Sequence, residues 1–107
     1  MLLYQWLKVI NTDKTDLLQL SNMINAINNK TRLALMGLLY TKKKLTFKEI
    51  VDLVKDINLN EDKIAYHLNV LLKTDLVKKK RKKYQNTRFG IRLMKDIGYI
   101  KEIKNIK

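Results

Sequence analysis

A single, mainly α-helical domain with one small β-hairpin is what this sequence predicts, with extra helices at its N- and C-terminal ends. Three observations predict it. Apolar residues recur at helical spacing along most of the 107 residues. The chain has no proline and three glycines, so nothing divides it into two domains. One stretch, Leu76 to Ile91, has the alternation of two short strands, and it holds six consecutive basic residues, Lys78 to Lys83.

Taken in order, Leu3, Trp6, Leu7 and Ile10 predict an amphipathic first helix, which Asn11, Thr12 and Asp13 interrupt. Leu17, Leu20, Ile24 and Ile27 predict a second, ended by Asn28-Asn29. Lys30 to about Thr41 is apolar on most sides, through Leu33, Leu35, Met36, Leu38 and Leu39, and is expected to be the central buried helix. Lys42 to Leu45 reads as a loop. Thr46-Phe47-Lys48-Glu49 fits a capping box, in which the threonine hydroxyl and the glutamate satisfy each other's backbone amides. The helix it opens should bury Phe47, Ile50, Leu53 and Val54. Asn60 is the expected N-cap of the next helix, 61–73, with Glu61 and Asp62 placed where the helix dipole favours acids. Its inner stripe is Ile64, Leu68, Leu71 and Leu72. Its outer face holds Asp62, Lys63, Tyr66, Asn69, Val70 and Lys73. Tyr84-Gln85-Asn86 reads as the hairpin turn and Thr87 to Ile91 as the returning strand. A last helix is expected from Arg92, carrying Leu93, Ile97, Ile100, Ile103 and Ile106.

The charge is placed unevenly. The chain carries 23 Lys and Arg against 10 Asp and Glu, a net charge of +13. Nine of the basic residues, Lys78 to Lys83 with Arg88, Arg92 and Lys95, fall in residues 78–95, where there is no acid. The helix at 61–73 is by contrast nearly neutral. Such a concentration predicts a polyanionic partner for one element, where a uniform excess would serve only solubility.

Several function classes are excluded or disfavoured. Without cysteine there is no disulfide, no thiolate metal site and no cysteine nucleophile. No Gly-rich phosphate loop, no Ser/His/Asp set and no metal-ligand cluster is legible, so neither an enzyme nor a metal or other cofactor is expected. The apolar runs are too short to span a bilayer, and no signal peptide is apparent, so the expected compartment is the cytoplasm. The lone His67 is expected to be packed and hydrogen-bonded, and Trp6 to lie in a core or an interface.

The order of elements, with Asn29-Lys30-Thr31-Arg32-Leu33, Glu49-Ile50, Ile64-Ala65-Tyr66-His67-Leu68, Thr74-Asp75-Leu76-Val77 and Phe89-Gly90-Ile91 in sequence, resembles the ArsR-like branch of winged helix-turn-helix regulators, in particular its archaeal members. The resemblance spans Asn29 to Ile91. It implies three parts of one domain: 1–28, N-terminal helices; 29–91, the winged core; 92–107, a C-terminal helix. It implies that the terminal helices pair two chains, through Leu3, Trp6, Ile10, Leu93, Ile97 and Ile100. It also implies a recognition helix, 61–73, in the major groove of double-stranded DNA and a wing, 78–91, on the backbone or minor groove. Candidate base contacts are then Asp62, Lys63, Tyr66 and Asn69. Candidate backbone or minor-groove contacts are Lys73, Lys78, Lys79, Lys80, Arg81, Lys82, Lys83 and Arg88. Two positions depart from the family's pattern: Ala65 stands where a serine is usual, and Asp75 where a glycine is common. With no Cys and one His, the metal sensing of some relatives is not carried over.

The expected function is a homodimeric, sequence-specific regulator of transcription. A low-specificity architectural nucleic-acid binder shares the basic hairpin but needs no readers at Tyr66 and Asn69. A protein-interaction or membrane-surface module is the third possibility, favoured by the acidic start of helix 61–73.

Overall fold

The structure is a computed structural model. It describes residues 14–55 and 59–105, with side chains described for 17–55 and 59–98. Helix α1 is Lys14–Ile27, α2 is Lys30–Lys42, α3 is Phe47–Val54, α4 is Glu61–Lys73 and α5 is Arg88–Asn105. The strands are β1, Leu45–Thr46; β2, Val77–Lys80; and β3, Lys83–Asn86, in one antiparallel sheet of order β1-β3-β2. The expected helix at residues 2–10, with Leu3, Trp6 and Ile10, lies outside the described residues, as do the side chain of Ile100 and the turn residues 56–58.

Helix α2 is central, as its apolar sequence predicts. Leu35, Met36 and Leu39 are buried, and the helix packs against α1, α4, α5 and β3. Asn29 begins it: the Asn29 side chain accepts a 3.0 Å hydrogen bond from the Arg32 amide. The Thr46–Glu49 capping box is present. Thr46 N–H donates to Glu49 Oε1 at 2.8 Å, and Glu49 N–H to Thr46 Oγ1 at 3.2 Å.

The buried stripes differ from expectation in two helices. In α3, Ile50 and Val54 are buried and Phe47 and Val51 pack beside them, while Leu53, more than a quarter-turn off that stripe, is 49% exposed. In α1 the inward stripe is Leu20, Met23, Ala26 and Ile27. Leu17, Leu18 and Ile24 face outward. Leu-rich helices of this kind have apolar residues on two faces, and the 3.6-residue period alone does not choose between them.

The hairpin is shorter than predicted and turns earlier. Val77 pairs with Asn86 and Lys80 with Lys83, so the turn is the two residues Arg81-Lys82, at φ 52° and 67°. Positive φ at both central residues makes this a type I′ turn, the kind whose twist matches antiparallel strands. Tyr84-Gln85-Asn86 is strand: Tyr84 and Asn86 point inward, and Lys83 points outward. Thr87 to Ile91 is not a strand. Thr87 Oγ1 accepts from the Gly90 amide at 3.2 Å, as an N-cap does, and α5 starts at Arg88 instead of Arg92. The segment read as a loop, Lys42–Leu45, contributes the end of α2 and the start of β1, which pairs Leu45 with Tyr84.

One close approach fixes these parts together. The Leu76 carbonyl accepts from the Thr87 amide at 3.0 Å, and Thr87 Oγ1 donates to the Asp75 carbonyl at 2.7 Å. Gly90, one turn into α5, lies so near that a Cβ there would collide with the Leu76 carbonyl oxygen. Its φ is not positive, so space alone requires glycine. Gly90→Ala should therefore lower stability by at least about 2 kcal/mol in urea unfolding. Gly98→Ala, further along the same helix with nothing near its Cβ position, should instead raise stability, by up to about 1 kcal/mol. Equal effects of the two substitutions would contradict this packing.

Candidate nucleic-acid interface

Helix α4 is held firmly at both ends. Asn60 Oδ1 accepts from the Lys63 amide at 2.8 Å, with Glu61 and Asp62 in the first turn. At the other end, Asp75 N–H donates to the Leu72 carbonyl at 3.2 Å and Leu76 N–H to the Leu71 carbonyl at 3.0 Å. That pair of bonds is a Schellman motif, and it puts Asp75 in the left-handed region at φ 62°. Aspartate is among the few L residues that tolerate this conformation, which explains why it stands where a glycine is common.

Ile64, Leu68 and Leu71 anchor the helix in the core, while Leu72 is half-buried. Asp62, Lys63, Ala65, Tyr66, Asn69 and Lys73 are exposed; Tyr66 is 61% exposed, and Val70 is half-buried on the flank. Asp62, Tyr66 and Asn69 border an open groove with Ala65, whose far wall is Phe47 of α3 and Tyr84 of β3. The structure thus brings the candidate readers Asp62, Tyr66 and Asn69 onto one surface with the hairpin beside them. Phe47 and Tyr84 are not expected there from the sequence. Phe47 lies one helix earlier in the fold and was assigned to the core, and Tyr84 was assigned to a turn.

The hairpin's cations divide between its two sides. Residues 78–83 are all exposed. By the register of β2 and β3, Val77, Lys79, Tyr84 and Asn86 share the side turned towards α4, and Lys79 Nζ lies 5.2 Å from the Tyr84 ring centroid. Lys78, Lys80 and Lys83 share the opposite side with Gln85. Arg81 and Lys82 form the tip. Arg88 is exposed in the first turn of α5.

A family model described as winged helix-turn-helix matches residues 38–105, from within α2 through both strands of the hairpin to the end of α5. The chain belongs to the winged helix-turn-helix family. No curated protein and no solved structure matches it. In this winged helix-turn-helix chain, α3 and α4 are the helix-turn-helix, α4 stands in the position of the recognition helix, and the β2–β3 hairpin is the wing. The fold is one that binds DNA. Among the described residues, no helix is long and apolar enough to cross a membrane, and no group of three or more His, Asp or Glu could hold a metal ion.

Two site expectations meet the geometry differently. Leu93, expected at a subunit interface, is 7% exposed and packs in the chain's own core, with Ile97 half-buried against it. Their surface is taken up within one chain because α5 starts a turn early and docks on α2. His67 is packed and hydrogen-bonded as expected. Its Nδ1 accepts from the Arg32 guanidinium at 3.3 Å, and Arg32 Nε also donates to the Ala26 carbonyl. The bond joins α4 to α2 and the end of α1.

Burial holds the His67 pKa below its ordinary value, and the charges of Arg32 and Lys63 push it the same way. The folded chain then binds fewer protons at His67 than the unfolded chain does. Stability from this site is present above the ordinary value of 6.5 and is lost as pH falls through the lower folded-state value. Glu49, whose pKa is lowered chiefly by the Thr46 amide bond, loses its contribution only in the more acidic carboxylate range. The melting temperature should accordingly drop between pH 7.5 and 5.5, and His67→Gln should flatten that part of the profile. A slope unchanged in the variant would contradict the assignment.

Proposed function

We propose that the chain is a sequence-specific, DNA-binding regulator of transcription that acts as a homodimer. In this reading α4 enters the major groove of double-stranded DNA. Tyr66 and Asn69 are the principal readers, Asn69 by bidentate bonds to adenine and Tyr66 by contact with phosphate or a thymine methyl. Asp62 and Lys63 stand at the start of the same face. Lys73, Lys79, Arg81, Lys82 and Arg88 neutralise phosphates on the near side of the wing and at its tip, and Arg81 is the residue best placed to enter a narrow minor groove.

The observation that carries the proposal is the wing tip. Arg81 and Lys82 occupy the two left-handed positions of a type I′ turn, where Asn-Gly is the relaxed choice. Two long cationic side chains there cost conformational stability of the order of 1 kcal/mol or more. Strain of this kind persists where function requires it. The function that fits is charge delivered at the most protruding point beside a reader helix.

Within the family, the ordered set Asn29-Lys30-Thr31-Arg32-Leu33, Glu49-Ile50, Tyr66-His67-Leu68 and Phe89-Gly90-Ile91 supports placement with the ArsR-like regulators of archaeal type. The dimer is supported by the outward face of α1, where Leu17, Leu18 and Ile24 are exposed, next in sequence to Leu3, Trp6 and Ile10. A two-fold dimer would space two recognition helices about 34 Å apart, one turn of DNA.

The test is binding to duplexes selected from a random pool, measured across salt concentrations. The wild-type chain should select a two-fold symmetric consensus and lose affinity steeply as salt rises. Tyr66→Ala with Asn69→Ala should lower discrimination against mismatched sites by about 1–3 kcal/mol per lost base contact, with non-specific affinity retained. Arg81→Asn with Lys82→Gly should raise thermal stability yet reduce the salt slope by nearly two. Sequence preference unchanged by the first pair would overturn the assigned readers and favour an architectural role.

A further inference from the structure

The side of the wing turned away from α4 is a second basic surface, and the major-groove reading does not use it. Register puts Lys78, Lys80, Lys83 and Gln85 on this side, and Lys44 lies beside them at the start of β1. Two adjoining concavities open here. One is lined by Lys44, Lys80, Arg81, Lys83 and Gln85. The other shares Lys44 and Gln85 and continues past Tyr40 and Lys43 to Lys95 of α5. All of these lysines are exposed, and none forms an ion pair among the described residues. No acid lines either concavity. The groove on the α4 side has the opposite character: it contains Asp62 and no Lys or Arg.

The acids nearest this surface are already engaged. Glu49 feels Lys83 electrostatically, but its carboxylate is bonded to the Thr46 amide. Asp96 pairs with Arg92 at 3.5 Å. Like charges gathered on one side of a small sheet repel one another, and nothing in the fold gains from holding them there. A polyanion would relieve that repulsion and release its own counterions. The duplex under α4 lies on the other side of the hairpin. It is not placed to supply phosphates to Lys44, Lys83 and Lys95.

We infer that the rear of the wing, centred on Lys44, Lys83 and Lys95, is a second phosphate-binding surface that takes a separate segment of DNA duplex, so that one chain bridges two duplexes. The inference rests on the proposed DNA-binding role of α4. It adds to that role a looping or compacting capacity built into the domain itself, independent of pairing between chains.

Two measurements on the full chain separate the surfaces: affinity for one short labelled duplex, and retention of that duplex by a second duplex fixed to beads. Wild type should show both. Lys43→Gln, Lys44→Gln and Lys95→Gln in one chain, three lysines of the second concavity, should leave short-duplex affinity within about twofold while cutting retention by about tenfold or more, and should lower the salt slope of retention by up to three. Tyr66→Ala with Asn69→Ala should lower sequence preference and leave retention of non-specific duplex unchanged. Retention equal in wild type and the triple variant would overturn the inference, since bridging would then come from dimerisation alone. An equal loss of both properties would also overturn it, by assigning the rear lysines to a single footprint. Failure of the wild-type chain to bind any duplex would instead overturn the DNA-binding reading beneath it.

Discussion

The close approach of α5 to the Leu76 carbonyl is the constraint on which the rest of the structure depends. At that point the last turn of the recognition helix, the first wing strand and the closing helix meet within a few bonds. The Schellman turn of α4 delivers Leu76, the Leu76 carbonyl receives the Thr87 amide, and Thr87 caps α5 while holding the Asp75 carbonyl. Asn86 adds a bond from its Nδ2 to the Met36 carbonyl at 2.9 Å, fixing the base of the wing to α2. A hairpin of two four-residue strands is marginal by itself. Anchored at its base, it has one orientation relative to α4, and the two can act as a single surface.

Given that anchoring, charge and strain divide the labour. The wing's own face towards α4 is largely structural, with Val77, Tyr84 and Asn86 turned inward and Lys79 alone extending the basic surface. The tip carries charge at the expense of backbone comfort. The rear carries charge without any internal partner. Helix α4 is nearly neutral, with acids in its first turn that complement its dipole and disfavour phosphate there. In the proposed function, affinity and discrimination therefore fall to different elements, cations of the wing gripping phosphates and polar side chains of α4 reading base edges.

Much of this was legible in the sequence, and the failures have specific causes. The spans of α1 to α4, the capping box at Thr46, the Asn60 cap and the exposed face of α4 follow from local chemistry, which the sequence displays directly. The wing turn was hidden because Arg81-Lys82 carries none of the Asn or Gly signals of a type I′ turn, and the run of six cations reads as featureless. A turn read at Tyr84–Asn86 removes the strand that contains those residues and makes Thr87 look like strand, when it caps a helix. The burial of Leu93 within its own chain is hidden for a related reason. Its burial follows from where α5 starts, and that start is set by a tertiary contact at Gly90. The two-residue strand β1 has no local signature at all; it exists only because β3 passes beside it. For α1, which apolar face turns inward is decided by packing against α2.

The proposed function requires that α4 and the wing engage one duplex together. The most direct measurement is a titration of the isotope-labelled chain with a short duplex, followed by backbone amide NMR. Concerted shifts are expected at Tyr66, Asn69 and the neighbouring face of α4 and at Lys79, Arg81 and Lys82, all saturating at one duplex concentration. Shifts at the wing with none on α4, or saturation of the two elements at different concentrations, would contradict it.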